Sequence, residues 1–230
     1  MHGGERLQLP GHIVDVTTGV QRAPYMPTLI VFLKYPHVGH VKTRLAASLG
    51  AEQAASLYRE WIGLVLTRLQ PLRDSIRIVA YYDGAPLPAF ATWHPLADQW
   101  WPQPEGDLGV RLAVGFEKAH NEAQPVIAIG TDCLELDSSL IRDAFSRLVD
   151  ADAVFGPAPD GGYYLVGTSR ALPEFFEGIP WSTPDTLTSH LALCKRIGWN
   201  AALLPVHRDI DTVDDWLQYC SEKATKLKVL

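Results

Sequence analysis

Two acidic segments of the chain have the residue types and the spacing that a divalent cation requires. Asp132 lies in a Gly-Thr-Asp-Cys segment directly after an apolar run, and Asp209 and Asp211 are two positions apart. Alternate side chains of an extended segment point the same way, so Asp209 and Asp211 can share a cation with Asp132. Mg²⁺ and Mn²⁺ prefer carboxylate oxygens and commonly bind phosphates as well. For Asp132 alone, a turn is the simpler explanation. Helix capping is the alternative for the second acidic segment; it accounts for Asp214 and Asp215 but explains Asp209 poorly.

A basic segment follows the first apolar run of the chain. It contains Lys34, Lys42 and Arg44 together with Gly39 and Thr43, and it leads toward a predicted helix. Backbone N–H groups at a helix start favour an anion, and an arginine guanidinium can bind two phosphate oxygens. The segment is not a P-loop, because the glycine before the lysine is missing. It predicts a phosphate-binding loop of another kind, with an ordinary solvated loop as the alternative.

A third segment, Asp160-Gly161-Gly162-Tyr163, places two glycines between an acid and a predicted strand. Glycines permit a close approach of the backbone to a ligand, but they also form tight turns. Taken alone, the segment predicts a turn.

Short apolar runs and helical periodicities predict the elements that must position these residues. The predicted strands cover residues 28–33, 76–82, 126–129, 153–155 and 163–166. Apolar residues at three- and four-residue spacing predict helices over 52–69 and, less strongly, 109–120. Asp137, Thr183 and Thr212 are predicted N-caps of three further helices, the first ending at Leu148 and the second with Pro184 at its start.

This alternation of strands and helices predicts an α/β fold, a three-layer α/β/α sandwich around a mostly parallel sheet. Ligands bind such sheets beyond the carboxyl ends of the strands. Both the basic segment and Asp132 leave predicted strands at that edge, so we expect them to lie close together.

Composition limits the classes of protein that the chain can belong to. Its 230 residues are 47% hydrophobic and 20% charged, as expected for a globular protein, and we predict one domain over residues 26–230 after a flexible extension over residues 1–25. The net charge of -6 argues against nucleic acid or an anionic membrane as a partner. Three widely spaced cysteines and the lack of a long apolar run favour a cytoplasmic protein.

Six ordered segments, spanning roughly residues 28–217, resemble the selenodomain-associated transferase 1 family. The segments are Lys34-x-Pro36-x-x-Gly39-x-x-Lys42-Thr43-Arg44-Leu45, Gly106-x-x-Gly109-x-Arg111, Gly130-Thr131-Asp132-Cys133, Gly156-x-x-x-Asp160-Gly161-Gly162-Tyr163, Trp181-Ser182-Thr183-Pro184 and Asp209-x-Asp211-Thr212. The resemblance implies a glycosyltransferase A-type, nucleotide-diphospho-sugar transferase fold. The substrates that it implies are a nucleotide sugar or a nucleoside triphosphate, together with a small-molecule acceptor.

The resemblance also assigns expected roles to individual residues. It implies Mg²⁺ or Mn²⁺ at Asp132, with Asp211 or Asp209 as a further ligand. The residues expected to bind the nucleotide and its phosphates are Lys34, Gly39, Lys42, Thr43, Arg44, Gly109 and Arg111. Those expected to act in catalysis are Asp132, Asp160 and Arg44. A less specific acceptor pocket comprises Asp160, Gly161, Gly162, Tyr163 and Trp181.

The chain departs from the family pattern at three positions. Leu134 stands where a proline usually follows Asp-Cys, and His37 and His40 occupy the basic loop where smaller or charged residues are usual. The proline change concerns the turn. The histidines can contact a substrate, although a neutral surface position is the simpler explanation.

Several functions share these motifs. Transfer of a sugar from a nucleotide sugar is the leading expectation. Transfer of a nucleotidyl group from a nucleoside triphosphate to a phosphorylated acceptor uses the same fold, metal and cations, and a non-catalytic nucleotide-binding protein is a further alternative. A haloacid dehalogenase-like phosphatase is disfavoured, because its Asp-x-Asp motif would have to leave a first strand rather than precede a terminal helix.

Overall fold

Strand β1 (Thr28–Lys34) lies inside the sheet and positions the basic segment that follows it. The structure, a computed structural model, describes residues 26–227, and the predicted extension over residues 1–25 lies outside this range. Side chains of β1 alternate between two apolar clusters: Leu29 and Val31 contact one, and Ile30 contacts the other. An apolar strand buried on both faces is the pattern that a parallel sheet between two helical layers requires.

Seven strands form one sheet in the order β3-β2-β1-β4-β6-β5-β7. The other strands are β2 (Arg77–Asp83), β3 (Gln99–Pro102), β4 (Val126–Ile129), β5 (Ala153–Pro157), β6 (Tyr163–Thr168) and β7 (Ala201–Leu203). Strand β6 pairs antiparallel with β4 and β5, and the other described pairings are parallel. The predicted mostly parallel sheet is therefore confirmed.

Helices cover both faces of the sheet. They are α1 (Thr43–Leu49), α2 (Ala51–Arg68), α3 (Leu108–Glu122), α4 (Ser138–Arg147), α5 (Thr186–Ile197) and α6 (Val213–Leu227). Residues of α1, α2, α4 and α6 pack into one apolar cluster, and residues of α3 and α5 pack into the other. This arrangement confirms the three-layer α/β/α sandwich. Within residues 26–227, no helix has both the length and the apolar character needed to cross a membrane.

The predicted helix caps differ in outcome. The Asp137 carboxylate accepts hydrogen bonds from the backbone of Ser139 and Leu140, as predicted. Thr212 and Asp215 form a reciprocal capping box at the start of α6.

The start predicted for α5 was wrong. This helix begins at Thr186, with Asp185 as the preceding residue, rather than at Pro184. The Thr183 hydroxyl donates to the Pro180 carbonyl and accepts from the Asp185 N–H, so it stabilises a turn before the helix.

Candidate active site

An open cleft of about 330 Å³ lies beyond the carboxyl ends of β1 and β4. Its lining residues are Lys34, His40, Val41, Lys42, Thr43, Arg44, Tyr58, Asp132 and Asp211. The fold therefore brings together residues from the basic segment and from both acidic segments, which are far apart in the chain. The predicted clustering at this edge of the sheet is observed.

Lys42 is at the centre of the site. Its ammonium lies 2.9 Å from Asp132 Oδ2 and 2.9 Å from Asp211 Oδ1, and it donates a 2.7 Å hydrogen bond to the carbonyl oxygen of Ile210. The Lys42 side chain is only 6% exposed. Its backbone is left-handed, with φ 48° and ψ 46°, directly before α1. A non-glycine residue in this region is strained, and such strain is often found at functional sites.

The electrostatics of the cleft are dominated by carboxylates. Burial alone would lower the pKa of Lys42, but Asp132 and Asp211 outweigh burial and raise this pKa above its usual value. Burial, with repulsion from Asp132, raises the pKa of Asp209 to about 7, and Lys42 only partly opposes this rise. One buried ammonium therefore does not balance the negative charge gathered here.

The donor set fits a hard divalent cation. Asp132 Oδ1 is buried and has no hydrogen-bond partner among the described residues, so this carboxylate oxygen lacks the partner that a bound cation would supply. Oxygen ligands of this kind suit Mg²⁺ and Mn²⁺. No three His, Cys, Asp or Glu side chains form a ready metal cluster within residues 26–227. Metal binding by Asp132 and Asp211, with Asp209 as a further ligand, stays a prediction.

The remaining basic-segment residues surround this centre. Arg44 is 77% exposed, and its Nη1 lies 3.6 Å from Asp211 Oδ2, beyond hydrogen-bond distance. Its guanidinium is therefore accessible to an anion. Lys34 is the exposed last residue of β1. Gly39 has φ +79° in the turn before α1, and Thr43 is the first residue of that helix.

Tyr58 is a cleft residue whose role the sequence pattern did not indicate. Its position on the apolar face of α2 is typical of a core residue, and it is only 6% exposed. The hydroxyl nevertheless accepts a hydrogen bond from the Lys34 backbone N–H and pairs with the Thr131 hydroxyl at 3.0 Å. Tyr58 thus connects the ends of β1 and β4. The only signal in the sequence was a hydroxyl on an otherwise apolar helix face.

Gly109 and Arg111 do not line this cleft. The Arg111 guanidinium binds Asp83 Oδ2 at 2.9 Å and Gln103 Oε1 at 3.0 Å, which ties together the ends of β2 and β3. Gly109 is buried where a Cβ atom would lie 2.4 Å from Trp181 Nε1. Nucleotide binding by these two residues stays a prediction.

The predicted acceptor residues surround the turn between β5 and β6. Asp160 Oδ1 accepts a hydrogen bond from the Gly162 N–H, and Gly161 has φ +87°. The rings of Tyr163 and Trp181 make an edge contact at 6.4 Å. The acceptor role of these residues is not tested by the geometry and stays a prediction.

His190 packs against the rings of Tyr163 and Trp181, and it was not identified from the sequence. It is fully buried, its Nε2 lies 3.1 Å from the Phe175 carbonyl oxygen, and its ring contacts Tyr163 and Trp181. Its position on a predicted helix gave no indication of this contact.

The sheet order and the cleft at the ends of β1 and β4 define the class of protein: an α/β protein with the nucleotide-diphospho-sugar transferase fold. The model of the DUF2064 family, described as "uncharacterized protein conserved in bacteria", matches residues 66–183. The chain belongs to this family. The narrower assignment to selenodomain-associated transferase 1 stays a prediction.

Solved structures are consistent with this class. A protein of Desulfovibrio desulfuricans G20, provisionally named a nucleotide-diphospho-sugar transferase, is 31% identical with a TM-score of 0.76, covering 83% of this chain and 84% of its own. A 4-diphosphocytidyl-2C-methyl-D-erythritol synthase of Anaerococcus prevotii DSM 20548 is 9% identical (TM-score 0.54; coverage 83% and 94%). Rv0371c of Mycobacterium tuberculosis H37Rv, in complex with manganese, is 15% identical (TM-score 0.50; coverage 84% and 96%). The last two show the fold alone, and no curated protein matches the sequence.

Proposed function

We propose that this protein is a metal-dependent transferase that acts on a nucleotide substrate, and that it transfers a sugar from a nucleotide-sugar donor. The observation that carries this proposal is the paired carboxylates of Asp132 and Asp211, which lie in one cleft with Lys34, Lys42 and Arg44. Carboxylates can hold a cation and the basic groups can hold phosphates, so both halves of a metal-diphosphate complex find partners in the same cleft. The name of the Desulfovibrio relative supports the same class of donor.

Asp132 and Asp211 would hold the metal, which is Mg²⁺ or Mn²⁺. A divalent cation bound there neutralises negative charge on a diphosphate leaving group. Manganese in the Rv0371c structure supports a divalent cation for proteins of this fold.

The chain's own cations would orient the donor. The accessible Arg44 guanidinium can bind two oxygens of one phosphate or bridge two phosphates. Lys34 is the exposed last residue of β1 and lines the same cleft, so its side chain can contact the same diphosphate. Once they contact the diphosphate, positive charges at these positions stabilise charge that develops as the leaving group departs.

The turn containing Asp160 would receive the acceptor. Its carboxylate is exposed, and it is close enough to Asp209 to raise the pKa of that residue. In this position Asp160 can accept a hydrogen bond from an acceptor hydroxyl and orient it toward the donor.

Asp132→Asn is the direct test of the metal site. Binding of UDP-, GDP-, CDP- and ADP-sugars and of the four nucleoside triphosphates is measured by thermal shift with and without Mn²⁺, because a ligand of the native state raises the melting temperature. We expect a shift that needs both Mn²⁺ and one nucleotide sugar and that disappears in Asp132→Asn. Asp214→Asn is the matched control, since Asp214 is an exposed acid on α6 outside the cleft lining.

Product analysis then identifies the reaction. Release of a nucleoside diphosphate supports glycosyl transfer, whereas release of pyrophosphate from a triphosphate would establish nucleotidyl transfer instead. Nucleotide binding without turnover would favour the non-catalytic alternative. A metal-dependent shift that persists unchanged in Asp132→Asn would refute the proposed site.

A further inference from the structure

The Lys42 ammonium fills a site built from three oxygen atoms. Asp132 Oδ2, Asp211 Oδ1 and the Ile210 carbonyl oxygen all lie within 2.9 Å of its Nζ, so they converge on one point. Three convergent oxygens, two of them carboxylate oxygens, can also form part of the coordination shell of a hard metal ion. Within the described part of the chain, the protein's own cation therefore occupies the point where the two carboxylates meet.

The protein buries the Lys42 side chain and fixes its backbone. The Lys42 side chain is 6% exposed, and its Nζ lies 5.7 Å from the centre of the Trp61 ring. Its backbone carbonyl accepts the 2.8 Å hydrogen bond of Ala46 that starts α1. The neighbouring residues Val41 and Leu45 are buried in the core. The backbone of Lys42 is thus fixed, while its long side chain retains rotatable bonds through which the ammonium can move.

A divalent ion and the ammonium compete for the same oxygens. Like charges at contact distance repel strongly, and they do so more in a partly buried cleft than in water. A free metal ion must therefore displace Lys42 and leave its charge without a partner. A phosphate anion arriving with the metal removes this penalty, because it gives the displaced ammonium a new partner within the same cleft.

We propose that Lys42 makes the carboxylate pair selective for a metal-nucleotide complex over the free metal ion, by occupying the oxygen site until a phosphate accepts its ammonium. This inference rests on the proposed function, because it requires Asp132 and Asp211 to be the metal ligands. It assigns to Lys42 a role in the order of binding in addition to phosphate contact. A purely structural ion pair would not affect the order in which the metal and the phosphate bind.

The test compares Lys42→Met with the wild-type protein. Methionine keeps an unbranched stem beside Trp61 but has no charge. Binding of Mn²⁺ alone is followed by loss of the electron paramagnetic resonance signal of the free ion. We expect Lys42→Met to bind Mn²⁺ roughly tenfold more tightly than the wild type or better, since a unit charge at contact distance changes affinity by about this factor even with water-like screening.

Arg44→Met is the matched control. It also removes one positive charge near Asp211, but Arg44 lies 3.6 Å from that carboxylate and is 77% exposed. It therefore leaves the three-oxygen site filled, and we expect its Mn²⁺ affinity to change by less than about threefold. Equal gains in the two variants would show a general charge effect and would overturn the inference.

Nucleotide-dependent binding completes the test. For the wild type, UDP, GDP, CDP and ADP are each titrated by calorimetry with and without Mn²⁺, and we expect one of them to bind at least about tenfold more tightly with the metal. The same diphosphate should bind Lys42→Met more weakly. If Lys42→Met proves poorly folded, Mn²⁺ alone should raise its melting temperature more than that of the wild type, because the metal replaces the missing cation.

The outcomes separate the two hypotheses. Metal-dependent nucleotide binding by the wild type, with equal Mn²⁺ affinity in the wild type and Lys42→Met, would overturn the role of Lys42 and leave the proposed function standing. If the wild type binds neither Mn²⁺ alone nor any of the diphosphates with Mn²⁺, both the inference and the proposed function fail.

Discussion

Gly161→Ala should be more damaging than an ordinary glycine substitution, because two separate costs meet at this position. Gly161 has φ +87°, and a Cβ atom there would lie 2.1 Å from the backbone oxygen of Pro184. Real Cβ atoms essentially never approach a neighbour closer than 3.0 Å. The partner is backbone rather than a flexible side chain, so the turn and the segment before α5 must move apart.

The two costs can be estimated separately. A left-handed backbone costs an alanine roughly 1–2 kcal/mol. Overpacking that forces a backbone shift typically adds about 1–3 kcal/mol. Gly178→Ala isolates the first cost, because Gly178 has φ +67° and nothing lies within 4 Å of its added Cβ atom.

Thermal unfolding of the two variants measures the difference. We expect Gly178→Ala to lower the melting temperature by a few degrees and Gly161→Ala to lower it further, by about 4–8 °C for an extra 2 kcal/mol in a domain of this size. The Gly161 carbonyl also accepts the Leu187 N–H at 3.0 Å, so the shift should disturb the start of α5. Equal melting temperatures for the two variants would refute the packing argument.

Two further predictions concern buried and capping groups. Burial lowers the pKa of His190 to about 4. The unfolded chain therefore binds a proton at His190 that the native state does not bind. The contribution of His190 to stability falls as the pH drops from 6.5 toward 4, by about 2 kcal/mol between pH 7 and 5. Urea unfolding should show a smaller loss over this interval for His190→Phe than for the wild type or the exposed control His94→Phe, and an unchanged loss would contradict the assignment. Buried His120, which titrates in the same sense, and Asp209, which titrates in the opposite sense, are common to all three proteins and cancel in the comparison.

Asp137→Ala should cost about 1 kcal/mol because it removes a cap bonded to two N–H groups. Asp185→Ala should cost much less because its side chain makes no capping bond, and equal losses in urea unfolding would argue against the cap.

The strands that the sequence did not predict lie at the two edges of the sheet. Strand β3 has four residues within a Pro- and Trp-rich stretch, and β7 has three. Each pairs with a single neighbour in the sheet order. Their extended conformation depends on that pairing rather than on a local pattern, so a short run of residues could not reveal it. The internal strands β1 and β4 were predictable because burial on both faces makes them continuously apolar.

The residues of the site were predictable by type, but their contacts were not. A cation after β1 and a carboxylate after β4 have to meet at one edge of a parallel sheet. Whether the partner of Lys42 is a phosphate or a carboxylate depends on where Asp211 lies, 169 positions away. That position is set by the segment after β7, whose Ile210 N–H donates to the Asp132 carbonyl oxygen at 3.1 Å. No local sequence pattern specifies this contact between the segment after β7 and the end of β4.

The electrostatics around Asp209 are those of a functional site rather than of a region that only stabilises the fold. The structure places Asp209 near Asp132, Asp211 and Asp160, and the pKa of Asp209 rises to about 7 as a result of burial and repulsion. A protein that needed only a stable sheet edge would gain by replacing one of these acids with a neutral residue. Carboxylates that lie together at a cost in stability are typical of sites that bind a cation or perform chemistry. Asp209→Asn should therefore stabilise the metal-free protein near pH 8, where Asp209 is ionised, and a loss of stability at that pH would contradict this reasoning.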